Sequence, residues 1–366
     1  MDESRQFRVL VLSVVKHAYI PEAVAAHRQF ELVAVADQSG VPEWVHTRNQ
    51  DFAERFSIPY LSDISGAIKK YRPDVAVVSS EAERHCELAV EAAKAGLHII
   101  VDKPLSNQLN ECDRLVDAVR VADVRTLVWN RNFMPALQQT RSAVHAGRIG
   151  KLRAIHCDFY FAKDAGPPKG SRSGNDPPIN WLKRQIDAHA DGSDGAVGIQ
   201  PMGELEVEGI YPLAYIHVLC GAPIKSVFAR TASHFHQAHV DHAIDDLATV
   251  TLEMEGGIVG SLCIGRIGAA SHPDLGAIKL HLIGTEGSLV VHESRPEVAS
   301  FYRGQPASEF PHRRVADQYE YLLMEEFSKA IETGAETSLD VTVGREICRI
   351  IDACLRSARS GSVIQL

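Results

Sequence analysis

Lys103 follows the apolar run His98–Asp102 (HIIVD) and is itself followed by Pro104. A lysine at the carboxyl end of a strand can donate to a reacting hydroxyl or carbonyl and stabilise charge that develops on its oxygen. The proline disfavours helical geometry at Lys103 and keeps it extended. Taken alone, a lysine after a strand is most simply a solvated one. Asp37 closes a second apolar run, Glu31–Asp37 (ELVAVAD), where a carboxylate can accept from a ribose hydroxyl. Gln38 and Ser39 follow it, and no adjacent arginine favours a 2′-phosphate. The first apolar run leads into Ser13-Val14-Val15-Lys16-His17-Ala18, where Lys16 and His17 offer positive charge to a phosphate. Two surface side chains are the simpler account of that pair.

A second group of chemistry-bearing residues is the stretch SHFHQAHVDHAIDD, with His234, His236, His239, His242, Asp245 and Asp246. Imidazoles this dense suit zinc or nickel, as a metal-dependent lyase or hydrolase would need. The spacing fits no closed site. His234 and His236 would share a strand face, whereas His239 and His242 need a turn. With 17 histidines in the chain, crowding in a strand-edge loop is the expectation, and no metal is assigned.

The elements that must position these residues follow from periodicity. Phe7–Val15, Glu31–Asp37, Asp74–Ser79, His98–Asp102 and Arg125–Asn130 are short, apolar and rich in β-branched residues, as strands buried on both faces are. Helical patterns separate them over Pro21–His27, Glu81–Ala95 and Asn107–Ala122. Such alternation predicts a Rossmann-like, doubly wound parallel α/β sheet over residues 1–130. Ligands bind such sheets at the carboxyl ends of the strands, so Ser13–His17, Asp37, Ser79, Ser80, Glu81, Asp102 and Lys103 fall together by topology alone.

Beyond about residue 130 the pattern changes. Leu152–Phe161, Ser226–Ser233, Leu247–Glu255, Gly257–Ile264, Ala277–Ile283 and Ser288–Glu293 read as strands with short glycine-bearing turns, predicting an α+β domain with an open antiparallel sheet over 131–366. Helices over Asp317–Thr333 and Val343–Ser360 close the chain. Ala162–Pro201 is rich in Gly, Pro and polar residues around one helical patch at Trp181–Ala190; a loop of that length is usually functional, often a lid.

Composition bounds the function. The 366 residues carry 38 Lys+Arg against 47 Asp+Glu, a formal net charge of −9, which argues against a nucleic-acid partner. Seven scattered cysteines without a C-x-x-C pair argue against a disulfide framework and for a reducing cytoplasm. No signal peptide or membrane-length apolar run is evident.

Four segments resemble the glucose–fructose oxidoreductase/inositol dehydrogenase (Gfo/Idh/MocA) family. Val101-Asp102-Lys103-Pro104 stands where members carry Glu-Lys-Pro, and Ser79–His85 resembles the family's loop ending in a histidine. Asn130–Pro135 with Arg148-Ile149-Gly150 is similar to the entry into the second domain. Gly203–Gly221 looks like the helix that delivers an acid/base. Ile283–Gly287 and the closing helices also fit. The resemblance spans nearly the whole chain, Ala162–Pro201 being its poorest part.

It implies hydride transfer between NAD or NADP and a secondary alcohol or carbonyl of a sugar-like molecule or polyol held in an interdomain cleft. Lys103 and Tyr211 would handle the proton, and Asn130, Arg131, Trp181 and the Ala162–Pro201 loop would contact substrate. Cofactor contacts are expected from Ser13, Val15, Lys16, His17, Asp37, Ser79, Ser80, Glu81, His85, Asp102, Lys103 and Asn130. The acid at Asp37 leans toward NAD. The exposed sheet face would pair subunits into a homodimer or homotetramer.

Two departures oppose this. None of the three glycines of G-x-G-x-x-G is present, and Val15 puts a branched side chain where backbone should approach a pyrophosphate. Val207 occupies the place of an aspartate one turn before Tyr211; Glu204 and Glu208 share the helical face of Tyr211 but read more simply as solvated glutamates. The rival reading is a redox-inactive family member that binds ligands or regulates.

Overall fold

The computed structural model describes residues 6–161, 181–191, 200–266, 277–293, 297–303, 308–311 and 319–366. The chain divides into two compact units, Met1–Arg131 with Gln318–Cys348, and Asn132–Asp317 with Arg349–Leu366.

The first unit alternates strand and helix: β1 (Phe7–Val14), α1 (Tyr19–Ala25), β2 (Phe30–Ala36), α2 (Glu43–Arg55), β3 (Tyr60–Leu61), α3 (Ile64–Tyr71), β4 (Val75–Ser79), α4 (His85–Lys94), β5 (His98–Val101), α5 (Leu109–Ala122) and β6 (Thr126–Val128). Among the described residues these strands form a six-stranded parallel sheet in the order β3-β2-β1-β4-β5-β6, the doubly wound arrangement the apolar runs predict. Val9–Leu12 and Val75–Val78 are fully buried because helices cover both faces of the sheet. The pair β3 and α3 lacks a long apolar run and does not show in the periodicity. Asp63 caps α3 by accepting from Gly66 N at 3.0 Å.

The second unit comprises α6 (Pro135–His145), β7 (Leu152–Phe161), α7 (Trp181–Asp191), α8 (Glu204–Glu208), α9 (Ile210–Cys220), β8 (Ile224–Ala232), α10 (Gln237–His242), β9 (Leu247–Met254), β10 (Ile258–Arg266), β11 (Ala277–Gly284), β12 (Gly287–His292), β13 (Glu297–Tyr302) and β14 (Ser308–Pro311). The chain ends with α11 (Tyr319–Thr333), α12 (Val341–Ser360) and β15 (Ile364–Gln365). The nine described strands run β14-β13-β12-β11-β7-β10-β9-β8-β15. This sheet is mixed rather than antiparallel throughout, since β10 pairs with β7 in parallel while every other pairing is antiparallel. No hairpin joins β7 and β10, which are far apart in sequence, so their connection permits the parallel pairing. One face is apolar, with Ile155, Cys157, Phe159, Val250, Leu252, Leu262, Leu280 and Leu282 buried. The apolar helix α9 lies on that face, Tyr211 and Tyr215 each placing their rings 6.1 Å from Phe159.

The boundary at residue 130 is drawn by the sequence as a single cut, but Gln318–Cys348 returns to the first unit. Val128 N donates to Leu339 O at 2.8 Å, and Thr126 is gripped by Thr337 and Val341. These bonds continue the hydrogen bonding at the end of β6, which local pattern cannot reveal. The expected lid, Ala162–Pro201, lies largely outside the described residues, apart from α7.

Gly284 ends β11 against the Ile149 carbonyl oxygen, which an added Cβ would meet at 2.0 Å. Gly284→Ala is expected to destabilise the second unit by about 2 kcal/mol, within the usual penalty for overpacking. An unchanged urea midpoint in that variant would refute this account of the contact.

Candidate functional site

The carboxyl ends of the first unit's parallel strands gather the residues singled out by topology. Ser13 is the first. The register of β1 against β4 skips between Leu12 and Val14, and Ser13 takes a φ of 65°. That region belongs mainly to glycine, and a serine there costs of order 1 kcal/mol. The chain thus makes the turn without the glycine. The buried Ser13 hydroxyl has no hydrogen-bond partner among the described residues.

The loop that follows is held by side chains rather than by glycine geometry. Val15 N and Lys16 N donate to Ser79 O at 2.9 and 3.4 Å, and the Ser79 hydroxyl donates to His17 O at 2.9 Å. From α2, Asn49 accepts from Val14 N at 2.6 Å, and Arg48 donates to Val15 O at 2.9 Å. Neither Arg48 nor Asn49 stands out in the sequence. A polar Asn49 on the buried side of α2 is their one local signal.

His17 is not a free surface residue: its Nδ1 lies 2.6 Å from Asp102 Oδ2. Asp102 is fully buried, and its Oδ1 accepts from Lys103 N at 2.6 Å. Burial by itself would raise the Asp102 carboxyl, but the charge and hydrogen bond of His17 outweigh it, with His85 and Lys16 adding to them. The carboxyl is held well below the ordinary carboxylate range. Burial lowers His17 in turn, against the pull of Asp102.

His85, also fully buried, places Nδ1 2.6 Å from Pro104 O and Nε2 3.1 Å from Ser80 O. Burial lowers its pKa, so the ring is neutral and its single N–H donates to one carbonyl at a time. It thereby ties the end of β4 to the segment carrying Lys103. Lys103 itself is 2% exposed and its peptide bond to Pro104 is cis, so the sequence's default of a solvated lysine is overturned. Asn130 is buried and donates to Val128 O at 2.8 Å, while Arg131 is half-buried at the end of this unit.

Asp37 is buried at the end of β2. Its Oδ1 accepts from Gln38 N at 2.8 Å and from Arg84 Nη2, and its Oδ2 accepts from Asn49 Nδ2 at 2.9 Å. Arg84 Nη1 reaches Glu81 Oε2 at 3.1 Å. No arginine adjoins Asp37 in sequence, but Arg84 arrives from the turn after β4, 47 residues along the chain.

In the second unit, Tyr211 is 6% exposed on α9. Glu204 and Glu208 are buried rather than solvated, because Arg266 at the end of β10 lies 2.8 Å from Glu204 Oε2 and 3.9 Å from Glu208 Oε1. A charged partner 62 residues away makes their burial tolerable. Trp181 opens α7, where the Arg184 guanidinium sits 5.7 Å from its ring centre.

The histidine-rich stretch has a structural explanation. The buried Asp246 carboxylate accepts the backbone N–H groups of His234, Phe235 and His236 at 2.6 to 3.1 Å, fixing a loop rather than a second strand. His236 Nε2 pairs with Arg266 O at 2.9 Å and His239 Nδ1 with Ile244 O at 3.2 Å. No group of three or more His, Cys, Asp or Glu among the described residues is placed to hold a metal, and no described helix is long and apolar enough to cross a membrane.

A dinucleotide asks of such a crevice a turn after β1, donors for its diphosphate and an acceptor for its ribose. Ser13 makes the turn, its partnerless buried hydroxyl is a donor, and Asp37 stands at the end of β2. The residues present fit the group.

Comparison with known proteins matches residues 11–129 to a model described as an oxidoreductase family with an NAD-binding Rossmann fold, and residues 141–366 to that family's C-terminal alpha/beta domain. An uncharacterized oxidoreductase, YrbE, of Bacillus subtilis is 24% identical over 327 residues, covering 87% of this chain and 86% of the relative. Inositol 2-dehydrogenase of Rhizobium meliloti is 24% identical over 290 residues, 78% of each chain. Aldose-aldose oxidoreductase from Caulobacter crescentus, solved with glycerol, superposes with a TM-score of 0.77 at 20% identity, covering 99% of this chain and all of that one. At that identity the likeness shows the fold.

Buried neutral histidines make stability depend on pH. His85 titrates lower folded than unfolded, so below its ordinary value of about 6.5 the unfolded chain binds the extra proton and stability falls. The thermal midpoint is expected to drop between pH 7 and pH 5. His85→Gln should flatten that slope, and an equally steep slope would show that His85 is not its source.

Proposed function

We propose, since the chain belongs to the Gfo/Idh/MocA oxidoreductase family, that it oxidises or reduces a secondary alcohol or carbonyl of a sugar-like molecule or polyol with a nicotinamide dinucleotide. The observation that carries this reading is the buried Lys103, whose segment is gripped on one side by Asp102 and on the other by His85. A cation held this way meets a substrate oxygen without the reorganisation that a solvated lysine would need. Relatives named for inositol and aldoses support a polyhydroxylated substrate.

The nicotinamide, when bound, takes or gives the hydride. Lys103 donates to the substrate oxygen and stabilises the negative charge that grows on it as the C–H bond breaks. Tyr211 is the second proton-handling group in this reading, with Glu208 as the carboxylate replacing the aspartate absent at Val207. Lys16, His17 and the Ser13 hydroxyl face the diphosphate in place of a glycine cradle, and Asp37 faces the adenosine ribose. Asn130, Arg131 and Trp181 are retained as substrate contacts. The cytoplasm is the compartment in which seven unpaired thiols persist.

NADH and NADPH should quench or enhance protein fluorescence with micromolar affinity for one of them. Lys103→Ala should then lower kcat on inositols or aldoses by about 10²-fold or more with little change in cofactor affinity. No binding of either dinucleotide up to millimolar levels sinks the oxidoreductase reading.

The outward face of the second unit's sheet carries His156, Asp158, Thr251, Val259 and Lys279 exposed. A second copy of the chain is expected there, giving a homodimer or homotetramer. Sedimentation showing only monomer at micromolar concentration overturns that expectation.

A further inference from the structure

The adenosine corner at the end of β2 contains an arginine that no periodicity or motif announces. Arg84 lies in the single turn between β4 and α4, its side chain 15% exposed, with one guanidinium nitrogen on Asp37 and the other on Glu81. Both acids are buried, Asp37 fully and Glu81 to within 2%. Asp37 is further immobilised by Gln38 N and Asn49 Nδ2, so it presents less free acceptor surface than a bare strand-end acid.

The charges decide what this corner accepts. Two carboxylates face one guanidinium, which leaves a negative charge in excess inside a poorly solvated pocket wall. The rim adds to it. Glu87 accepts from the Gln38 side chain at 2.7 Å, and Glu91 on the same helix is raised by burial and then by Glu87, which places a second acid within electrostatic reach of Glu87, Asp37 and Arg84. Tyr60 is pushed up to about 12 by burial and by Asp37, so it is a neutral hydroxyl here and supplies no charge. A phosphate on the ribose would bring up to two more negative charges to this place, with Arg84 already committed to two acids.

We propose that Arg84 is the residue that sets NAD against NADP. Latched by Asp37 and Glu81, it closes the corner to a 2′-phosphate; released from either acid, it becomes the planar, two-pronged partner that a 2′-phosphate requires. The inference rests on the dinucleotide reading above and deepens it: NAD is the cofactor, and affinity for NADP is latent, suppressed by an ion pair rather than missing a cation. Asp37 alone does not explain such a corner, since removing an acid without a waiting arginine abolishes repulsion but creates no phosphate site.

Binding, not turnover, tests it. Dissociation constants for NADH and NADPH are measured by fluorescence titration on the full chain and on three variants. In the wild type NADH is expected to bind at least about 10-fold more tightly than NADPH, the scale of one unfavourable charge contact. Asp37→Ser should move the NADPH to NADH affinity ratio toward NADPH by about 10²-fold. Asp37→Ser combined with Arg84→Gln should lose at least about 10-fold of that gain, which a merely repulsive role for Asp37 would leave intact. Should Asp37→Ser fail to fold, Glu81→Gln frees the other guanidinium prong and is expected to shift the ratio the same way. A wild type that prefers NADPH, or a gain that survives Arg84→Gln, overturns the inference while leaving the oxidoreductase reading standing. A wild type that binds neither dinucleotide removes both.

Discussion

The carboxylate of Asp102 is the constraint on which the first unit's crevice depends. Fully buried at the end of β5, it must be met by donors from the protein itself. It finds two, the His17 ring from the loop after β1 and the backbone N–H of Lys103. One buried charge therefore joins the segment where a glycine cradle is absent to the segment that carries the candidate catalytic lysine. The His17 side chain and the Asp-Lys-Pro segment are thus two sides of one interaction.

The same logic recurs at other buried acids among the described residues. Asp37 is met by Arg84 and Asn49, Glu204 and Glu208 by Arg266, and Asp246 by three backbone N–H groups that shape the histidine-rich loop. In each case an acid that looks solvated or functional in sequence has its partner on another element. Whether such an acid acts in chemistry or only in architecture depends on what its remaining lone pairs face. Asp246 is consumed by its loop. Asp37 stands at the end of a strand, the edge at which doubly wound sheets take their ligands.

Ser13 shows why a missing motif is weaker evidence than a present one. The glycine rule is a statement about φ and about space, and Ser13 satisfies the first by accepting strain at 65°. The space around Val15 is altered, with its N–H and that of Lys16 turned to Ser79. The loop is held instead by bonds to Arg48, Asn49, Ser79 and Asp102, which leave no regular spacing in the sequence.

Amino-acid order by itself determined the two architectures. Runs such as FRVLVLSV and VAVVS are short, β-branched and largely apolar on both faces, as buried parallel strands are, while the strict alternation of LATVTLEM marks a sheet with one wet face. It also placed Ser13–His17, Asp37, Ser79–Glu81 and Asp102–Lys103 at one edge, because carboxyl strand ends share an edge whatever the side chains are. Periodicity carries that much because it is a local property. Tertiary structure decided the rest: the parallel pairing of β7 with β10, the return of Gln318–Cys348 to the first unit, and the long-range charge pairings. Arg84 meets Asp37 across 47 residues and Arg266 meets Glu204 across 62. Such pairs are selected by the cost of burying a charge alone, a quantity that exists only once the chain has closed around it.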